Sequence, residues 1–250
     1  MVGAAAPVVG APVYKAPSAI APASNWTGFY IGAGWGRGMW NQDFVLTETT
    51  GTPSDSVETT GGGRGWLGTV TAGFDYQFAS NIIIGVFGDW DWSNIEGTWL
   101  HPRDSFQGTE KQRWAWAVGG RVGWLVTPAL LSYFNGGYSA AHFDQIDLFS
   151  STPSAAPAGT HISGHTYHGW FLGGGVEYAL PFFSGLFWKN EYRYASYKGD
   201  DLPILVIDTG LPTDESIHAS KHVQTIRSEL IYRFNWGGPV AGKGPVVSRY

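Results

Sequence analysis

The chain has 250 residues, a formal net charge of −5 and no cysteine. That excludes a disulfide framework, a thiolate metal site and a lipidated cysteine, and it argues against a nucleic-acid partner. Aromatic residues are abundant (13 Trp, 12 Tyr and 14 Phe, beside 36 Gly), charged residues are only 14% against the roughly 25% of a soluble domain, and no run approaches the ~18 apolar residues of a membrane helix.

Residues 1–25 form a Pro/Ala/Val tail in which Pro7, Pro12, Pro17 and Pro22 recur every five residues. That composition predicts an extended, unpacked segment. No charged start with an apolar core marks a secretory signal, and the expectation is that one was removed or replaced at Met1.

From Trp26 onward the chain reads in twos. The first segment, 26–37, places Phe29, Ile31, Ala33 and Trp35 on one face and Tyr30, Gly32, Gly34 and Gly36 on the other. The second, 66–78, is the clearest: Trp66, Val70, Ala72, Phe74, Tyr76 and Phe78 share one face, with Thr69, Thr71, Asp75 and Gln77 opposite. A period of two is a strand with one oily and one wet face. A soluble strand runs about five or six residues, whereas a membrane-crossing strand needs roughly 9–11. Length, alternation and aromatic ends together predict an outer-membrane β-barrel.

Six more segments follow. The third, 82–94, points Ile82, Ile84, Val86, Trp90 and Trp92 outward and Asp89 and Asp91 inward. The fourth, 111–126, points Trp114, Trp116, Val118, Val122 and Trp124 outward. The fifth, 130–144, carries Ser132 on its apolar face. The sixth, 165–180, exposes Trp170, Leu172, Val176 and Tyr178, the seventh, 186–198, Trp188, Tyr192 and Tyr194, and the eighth, 220–234, Ile226, Leu230, Tyr232 and Phe234. The connections alternate: 79–81, 127–129 and 181–185 are tight, while 39–65, 95–110, 145–164 and 199–219 are long and polar. Short periplasmic turns and long external loops are the habit of such barrels, and eight strands leave both termini periplasmic. A second tail, 235–250, repeats Gly238-Pro239-Val240 as Gly244-Pro245-Val246. The reading is thus an all-β, eight-stranded antiparallel up-and-down barrel over 26–234 between two periplasmic tails, in the outer membrane of a Gram-negative bacterium.

The runs Val13-Tyr14-Lys15-Ala16-Pro17 and Asn25-Trp26-Thr27-Gly28-Phe29-Tyr30-Ile31-Gly32, with Gly174-Gly175-Val176-Glu177-Tyr178, Glu191-Tyr192-Arg193-Tyr194 and Tyr232-Arg233-Phe234, resemble the alphaproteobacterial small outer-membrane barrels, the porin-like surface-antigen family. The resemblance covers about residues 13–250. It implies an eight-stranded barrel related to the OmpA type, with surface loops, and leaves function open among porins, antigens and envelope-stability factors. The ending Tyr232-Arg233-Phe234 resembles the signal read by the barrel-insertion machinery, with Tyr232 and Phe234 as its aromatic pair.

With the aromatics outward, parity sends six acids (Asp75, Asp89, Asp91, Glu177, Glu191, Glu229) and six bases (Arg113, Arg121, Lys189, Arg193, Arg227, Arg233) into the lumen. An eight-stranded barrel is just wide enough for its own side chains, and buried charges must be paired. The balanced set therefore predicts an ion-paired plug, with a narrow charge-lined channel as the alternative. All seven histidines (His101, His142, His161, His165, His168, His218, His222) fall in the external half. Four of them, His142, His161, His165 and His168, cluster near one loop without the spacing of a strong ligand motif. A lipid A-modifying enzyme would need His168 or His142 beside Ser139 or Ser163, with nothing in sequence to orient such a pair. The reading is a non-enzymatic barrel supporting envelope integrity and surface contact, with no cofactor or metal. Its expected partners are outer-membrane lipid and lipopolysaccharide, the insertion machinery, a cell-wall or protein contact through residues 1–25, and a second copy as a homo-oligomer.

Overall fold

The computed structural model describes residues 25–48, 56–100, 106–150 and 159–234. The tails assigned to 1–25 and 235–250 therefore lie outside the described residues, apart from Asn25. Ten strands are present: β1 (Gly28–Glu48), β2 (Ser56–Gln77), β3 (Ile82–Leu100), β4 (Phe106–Thr127), β5 (Leu130–Phe143), β6 (Ile146–Ser150), β7 (Thr160–Ile162), β8 (His165–Ala179), β9 (Leu186–Val206) and β10 (Pro212–Phe234). All pairings are antiparallel. β1 pairs with both β2 and β10, so the ladder closes through β1-β2-β3-β4-β5-β8-β9-β10 into an eight-stave barrel.

The turns at 79–81 and 127–129 are as short as the sequence indicates, and Gly185, at φ 84°, supplies the left-handed residue that closes the turn before β9. The opposite end differs from expectation. The segments expected as long loops are mostly strand. β1 runs on to Glu48, and β9 and β10 meet at a turn over 207–211. A 22-residue strand such as β2, at ~3.3 Å per residue and a tilt near 40°, rises roughly 55 Å. The apolar band of an outer-membrane barrel is only about 25 Å tall.

The surplus is a second storey. Where β5 ends and β8 has not begun, the short strands β6 and β7 take their places. β6 pairs with β4 (Gln107↔Phe149) and with β7 (Asp147↔His161), and β7 pairs with β9 (Ile162↔Ile204). Eight staves therefore continue upward in the order β1-β2-β3-β4-β6-β7-β9-β10, although the β2–β3 ladder itself ends at Arg64↔Glu96.

Polarity inverts between the storeys. In the lower one the outward residues are Phe29 (53% exposed), Trp35 (64%), Val86, Val118, Phe134 and Leu230, while the buried interior holds Asp75, Arg121, Glu177, Arg193 and Arg233. In the upper one the buried interior is apolar: Phe44, Leu46, Trp99, Ile146, Leu148, Ile162, Ile204 and Ile217 form one cluster, with Phe44 stacked on Trp99 at 5.4 Å. Its outward residues are mostly polar, among them Asn41, Asp43, Glu96, Asp200 and Asp214, with a few exposed apolar ones such as Leu100 and Phe149. The hydrophobic effect drives apolar groups away from water. Where lipid surrounds the wall they go outside, and where water does they go inside.

Candidate functional site

Inward glycines make room for long charged side chains. A Cβ on Gly73 would lie 2.5 Å from the Tyr30 ring, and one on Gly85 would overlap the Asp75 carboxylate. Into that space β2, β4, β8 and β10 send Asp75, Arg121, Glu177 and Arg233, which close a four-residue knot. Arg121 Nε donates to Asp75 Oδ1 at 2.9 Å and its Nη2 bonds Asp75 Oδ2 more closely, while Nη1 donates to Glu177 Oε2 at 3.1 Å. Arg233 donates to Asp75 Oδ2 at 2.6 Å and to Glu177 Oε1 at 2.5 Å. Tyr30 lies under both guanidiniums, at 4.8 Å from Arg121 and 5.0 Å from Arg233, and Phe187 flanks Arg233 at 4.9 Å. Bidentate, ring-stacked pairing of this kind suits guanidinium rather than ammonium.

Above the knot lies a longer chain of contacts. Lys189 forms an ion pair with Glu229 at 2.8 Å and approaches Glu191 at 3.6 Å. Glu191 accepts from Tyr133, Asn135 and Arg193. Arg193 forks onto Asp89 at 3.0 and 2.6 Å, and Arg227 donates to Asp91 at 2.6 Å. Thr71 donates to Glu229 at 2.7 Å. A third level joins Lys221 to Glu110 and Gln42 inside a cage of Trp40, Phe143 and Tyr167, with Phe143 nearest at 4.3 Å. The apolar core of the upper storey begins directly above. Two voids beside these layers measure about 20 Å³, at Gln42 and Glu110, and about 10 Å³, at Asp91 and Arg227, each near the size of one water.

Eleven of the twelve residues expected in the lumen are buried there. Arg113 is the correction. A register shift between Gln112 and Trp114 reverses the alternation of β4, so Gln112 and Glu110 point inward and Arg113 points out, pairing with Asp144 at 2.7 Å on the surface. Lys221 and Glu110 are the lumen charges that sequence reasoning missed. Lys221 shares the odd parity of Arg227, Glu229 and Arg233, a signal that was present; Glu110 stood in a stretch read as loop.

The histidines disperse. His101 lies outside the described residues. His142 stacks on Trp114 and bonds Thr166, His168 bonds Tyr138 and His222 bonds Tyr194. His165 and His218 take Asp200 and Asp201, and His161 lies in β7 opposite Asp147. Among the described residues no three His or acidic side chains converge as a metal set. Ser139 is buried inside, bonded to Trp116 O and Tyr197, whereas His142 and His168 lie on the outer face; Ser163 sits in the connection between β7 and β8. Tyr232 and Phe234 lie outward at the lower end of β10, edge to face at 5.1 Å. On β1, β2 and β4 the outward Arg37, Arg64 and Arg113 lie just beyond the upper aromatics Trp35, Trp66 and Trp114. Arg37 rests 4.3 Å over the Trp66 ring.

Residues 2–234 match the family described as "Outer membrane protein beta-barrel domain". The 31 kDa outer-membrane immunogenic protein of Brucella melitensis is 30% identical over 217 residues, covering 84% of each chain. The 25 kDa outer-membrane immunogenic protein of Brucella abortus is 26% identical over 208 residues, covering 82% of each. Among solved structures, the outer membrane protein OprG from Pseudomonas aeruginosa aligns with a TM-score of 0.48 at 11% identity, covering 85% of this chain and 100% of that one. Neisserial surface protein A aligns at 0.37 and 15%, covering 83% and 98%.

Proposed function

Because this chain belongs to the outer-membrane β-barrel protein family, we propose that it is a non-enzymatic envelope barrel whose lumen is closed and whose upper storey faces outward from the cell. The observation that carries the reading is the Asp75–Arg121–Glu177–Arg233 knot, four fully buried charges that satisfy one another across the lumen. Removing any member strands a charge in a low-dielectric interior, so the knot resists opening. Tight turns at one end and the tall, polar-surfaced storey at the other favour a periplasmic lower rim, with both termini on that side.

Three partners accompany this reading. Arg37 and the outward Arg64, standing above Trp35 and Trp66, suit the phosphates of an outer-leaflet glycolipid whose acyl chains lie along the apolar belt. The aromatic pair Tyr232 and Phe234 is the contact for the insertion machinery, so Phe234→Ala reduces the inserted fraction. A contact from residues 1–25 to the cell wall or a neighbouring protein is the third, checked by protease protection of the tail in intact membranes.

Single-channel recording in planar bilayers tests the central claim. The expected trace has at most brief, small flickers. A large, steady conductance from the unaltered protein overturns the closed-lumen reading in favour of a channel.

A further inference from the structure

Between the two storeys β4 changes partner. β5 is paired with β4 up to Gln112↔Phe143, and Asp144 N still donates to Lys111 O at 2.9 Å. The ladder resumes only at Gln107↔Phe149 on β6. Over the intervening stretch no ladder pair forms, and the outer face there holds a groove of about 480 Å³, within the roughly 300–1,000 Å³ of small-molecule sites.

Alternation determines what lines it. Ile146 and Leu148 of β6 and Trp99 of β3 point into the apolar core. Their neighbours Gln145, Asp147, Phe149 and Thr98, with Gln107 and Thr109 of β4, line the groove. The walls are therefore anchored from behind by buried apolar side chains. Gly108 lies where β6 crosses closest: a Cβ there would stand 2.7 Å from the Asp147 carbonyl oxygen.

The lining chemistry narrows the ligand. Among the described residues its single charge is the Asp147 carboxylate, which disfavours a phosphate or sulfate. Its one large apolar group is the Phe149 ring, 59% exposed, too little for an acyl chain or an apolar peptide. The rest is two amides and two hydroxyls. Each amide offers both donors and acceptors, each hydroxyl offers one donor and two acceptor sites, and a carboxylate accepts at both oxygens. Gln145 Nε2 donates to Asp147 Oδ1 at 2.6 Å, which holds the carboxylate in place and leaves it further acceptor capacity. Paired donors and acceptors beside one exposed ring face match neighbouring hydroxyls on a ring whose C–H face lies against the negative face of an aromatic.

We propose that this groove binds the neutral, hydroxyl-rich rings of a carbohydrate. The inference rests on the reading that the upper storey faces outward, where sugar chains of the same membrane and free glycans are both present. The hydroxyl pattern is common to both sources.

The test uses the full chain purified in detergent, with saturation-transfer NMR against three probes: maltotriose, chitotriose, and the lipid-free polysaccharide released from the producing bacterium's own envelope. Saturable binding of at least one probe is expected. Losing the ring face in Phe149→Ala, or the charge in Asp147→Asn, should weaken it by about tenfold or more, the scale of one charge-assisted hydrogen bond, while Asp214→Asn on β10 leaves it unchanged. Heat-modifiable gel migration confirms that each variant is a folded barrel; Asp147→Asn keeps side-chain shape, so the test stands even if Phe149→Ala misfolds. Preference for the bacterium's own polysaccharide assigns an envelope sugar, and preference for an oligosaccharide assigns a free glycan. Absence of saturable binding to all three, or binding undiminished by Asp147→Asn, overturns the site. Binding to purified protein and broken cells but not to intact cells supports the groove and overturns only the outward orientation.

Discussion

The two storeys of this barrel share six of their eight staves and the same two-residue alternation, yet they are held together in opposite ways. Above Lys221 the wall has water outside and an apolar core within, around Phe44, Trp99 and Ile217. Below it the wall has apolar residues outside and a lumen filled by Arg121, Arg193, Arg227, Arg233 and their acids. One backbone pattern serves both because period two divides side chains into two faces without saying which face is the core. The surrounding solvent decides that. The seam is the Lys221 cage, where an ammonium bonded to Glu110 and Gln42 meets the rings of Trp40, Phe143 and Tyr167.

The sharpest way to break the comparison is to strand a charge in the lower storey. Arg233→Gln leaves Asp75 and Glu177 sharing Arg121 alone and should cost about 3–5 kcal/mol, the scale for unpairing a buried ion pair. Arg233→Lys keeps the charge but loses the planar fork, so its cost should be smaller. Reversible unfolding in liposomes, followed by Trp fluorescence, measures both. Equal losses for the two variants would mean that charge does not hold the knot.

In the upper storey the equivalent break is a cavity. Ile217→Ala removes buried apolar volume, and Ile→Ala changes in cores cost about 2–5 kcal/mol. The loss should be local. Amide exchange should quicken in β6, β7 and the upper part of β10, with little change near Arg233, because the two storeys have different cores. Uniform quickening would show one cooperative unit and erase the division.

Added outward charge sharpens the boundary from outside. Val118→Arg places a guanidinium on the exposed apolar belt and should cost about 2–4 kcal/mol if it lies near mid-membrane. Ser220→Arg, outward on upper β10 beside Asp43, should shift stability by no more than about 0.5 kcal/mol, as surface changes do. Comparable penalties at the two positions would place Ser220 in lipid as well.

These contrasts also show which parts of the molecule were legible in sequence. The membrane staves were, because aromatics mark both ends of alternating runs such as 66–78 and because parity then assigns eleven of the lumen charges. The upper storey was not. Its outward residues, Asn41, Asp43, Glu96, Asp200 and Asp214, read as polar loop when the apolar face is assumed to point out. The inward Phe44, Leu46, Trp99 and Ile217 were the same signal with the faces exchanged. β6 and β7, five and three residues long, are too short to announce themselves by periodicity. The groove beside Phe149 was beyond reach for a related reason: it exists only because β6 replaces β5 at a particular height.

Arg113 offers the smallest effect and the finest test of where alternation fails. Parity counted along β4 from Arg121 sends Arg113 into the lumen, and only the shift between Gln112 and Trp114 turns it out to solvent. Its side chain is 58% exposed and that of its partner Asp144 is 27% exposed. Exposed pairs pay side-chain ordering for a screened attraction and contribute little. Arg113→Gln should therefore leave the unfolding midpoint within error of the parent, and any residual difference should vanish in high salt. A loss comparable to that of Arg233→Gln, insensitive to salt, would mean that the β4 register runs unbroken and Arg113 belongs among the lumen charges. The same measurement on Lys221→Gln, on β10 where the extra residue of the β9–β10 register shift falls in β9 and leaves the alternation of β10 unbroken, should go the other way. It leaves Glu110 buried without its cation, so the loss is large and persists in salt.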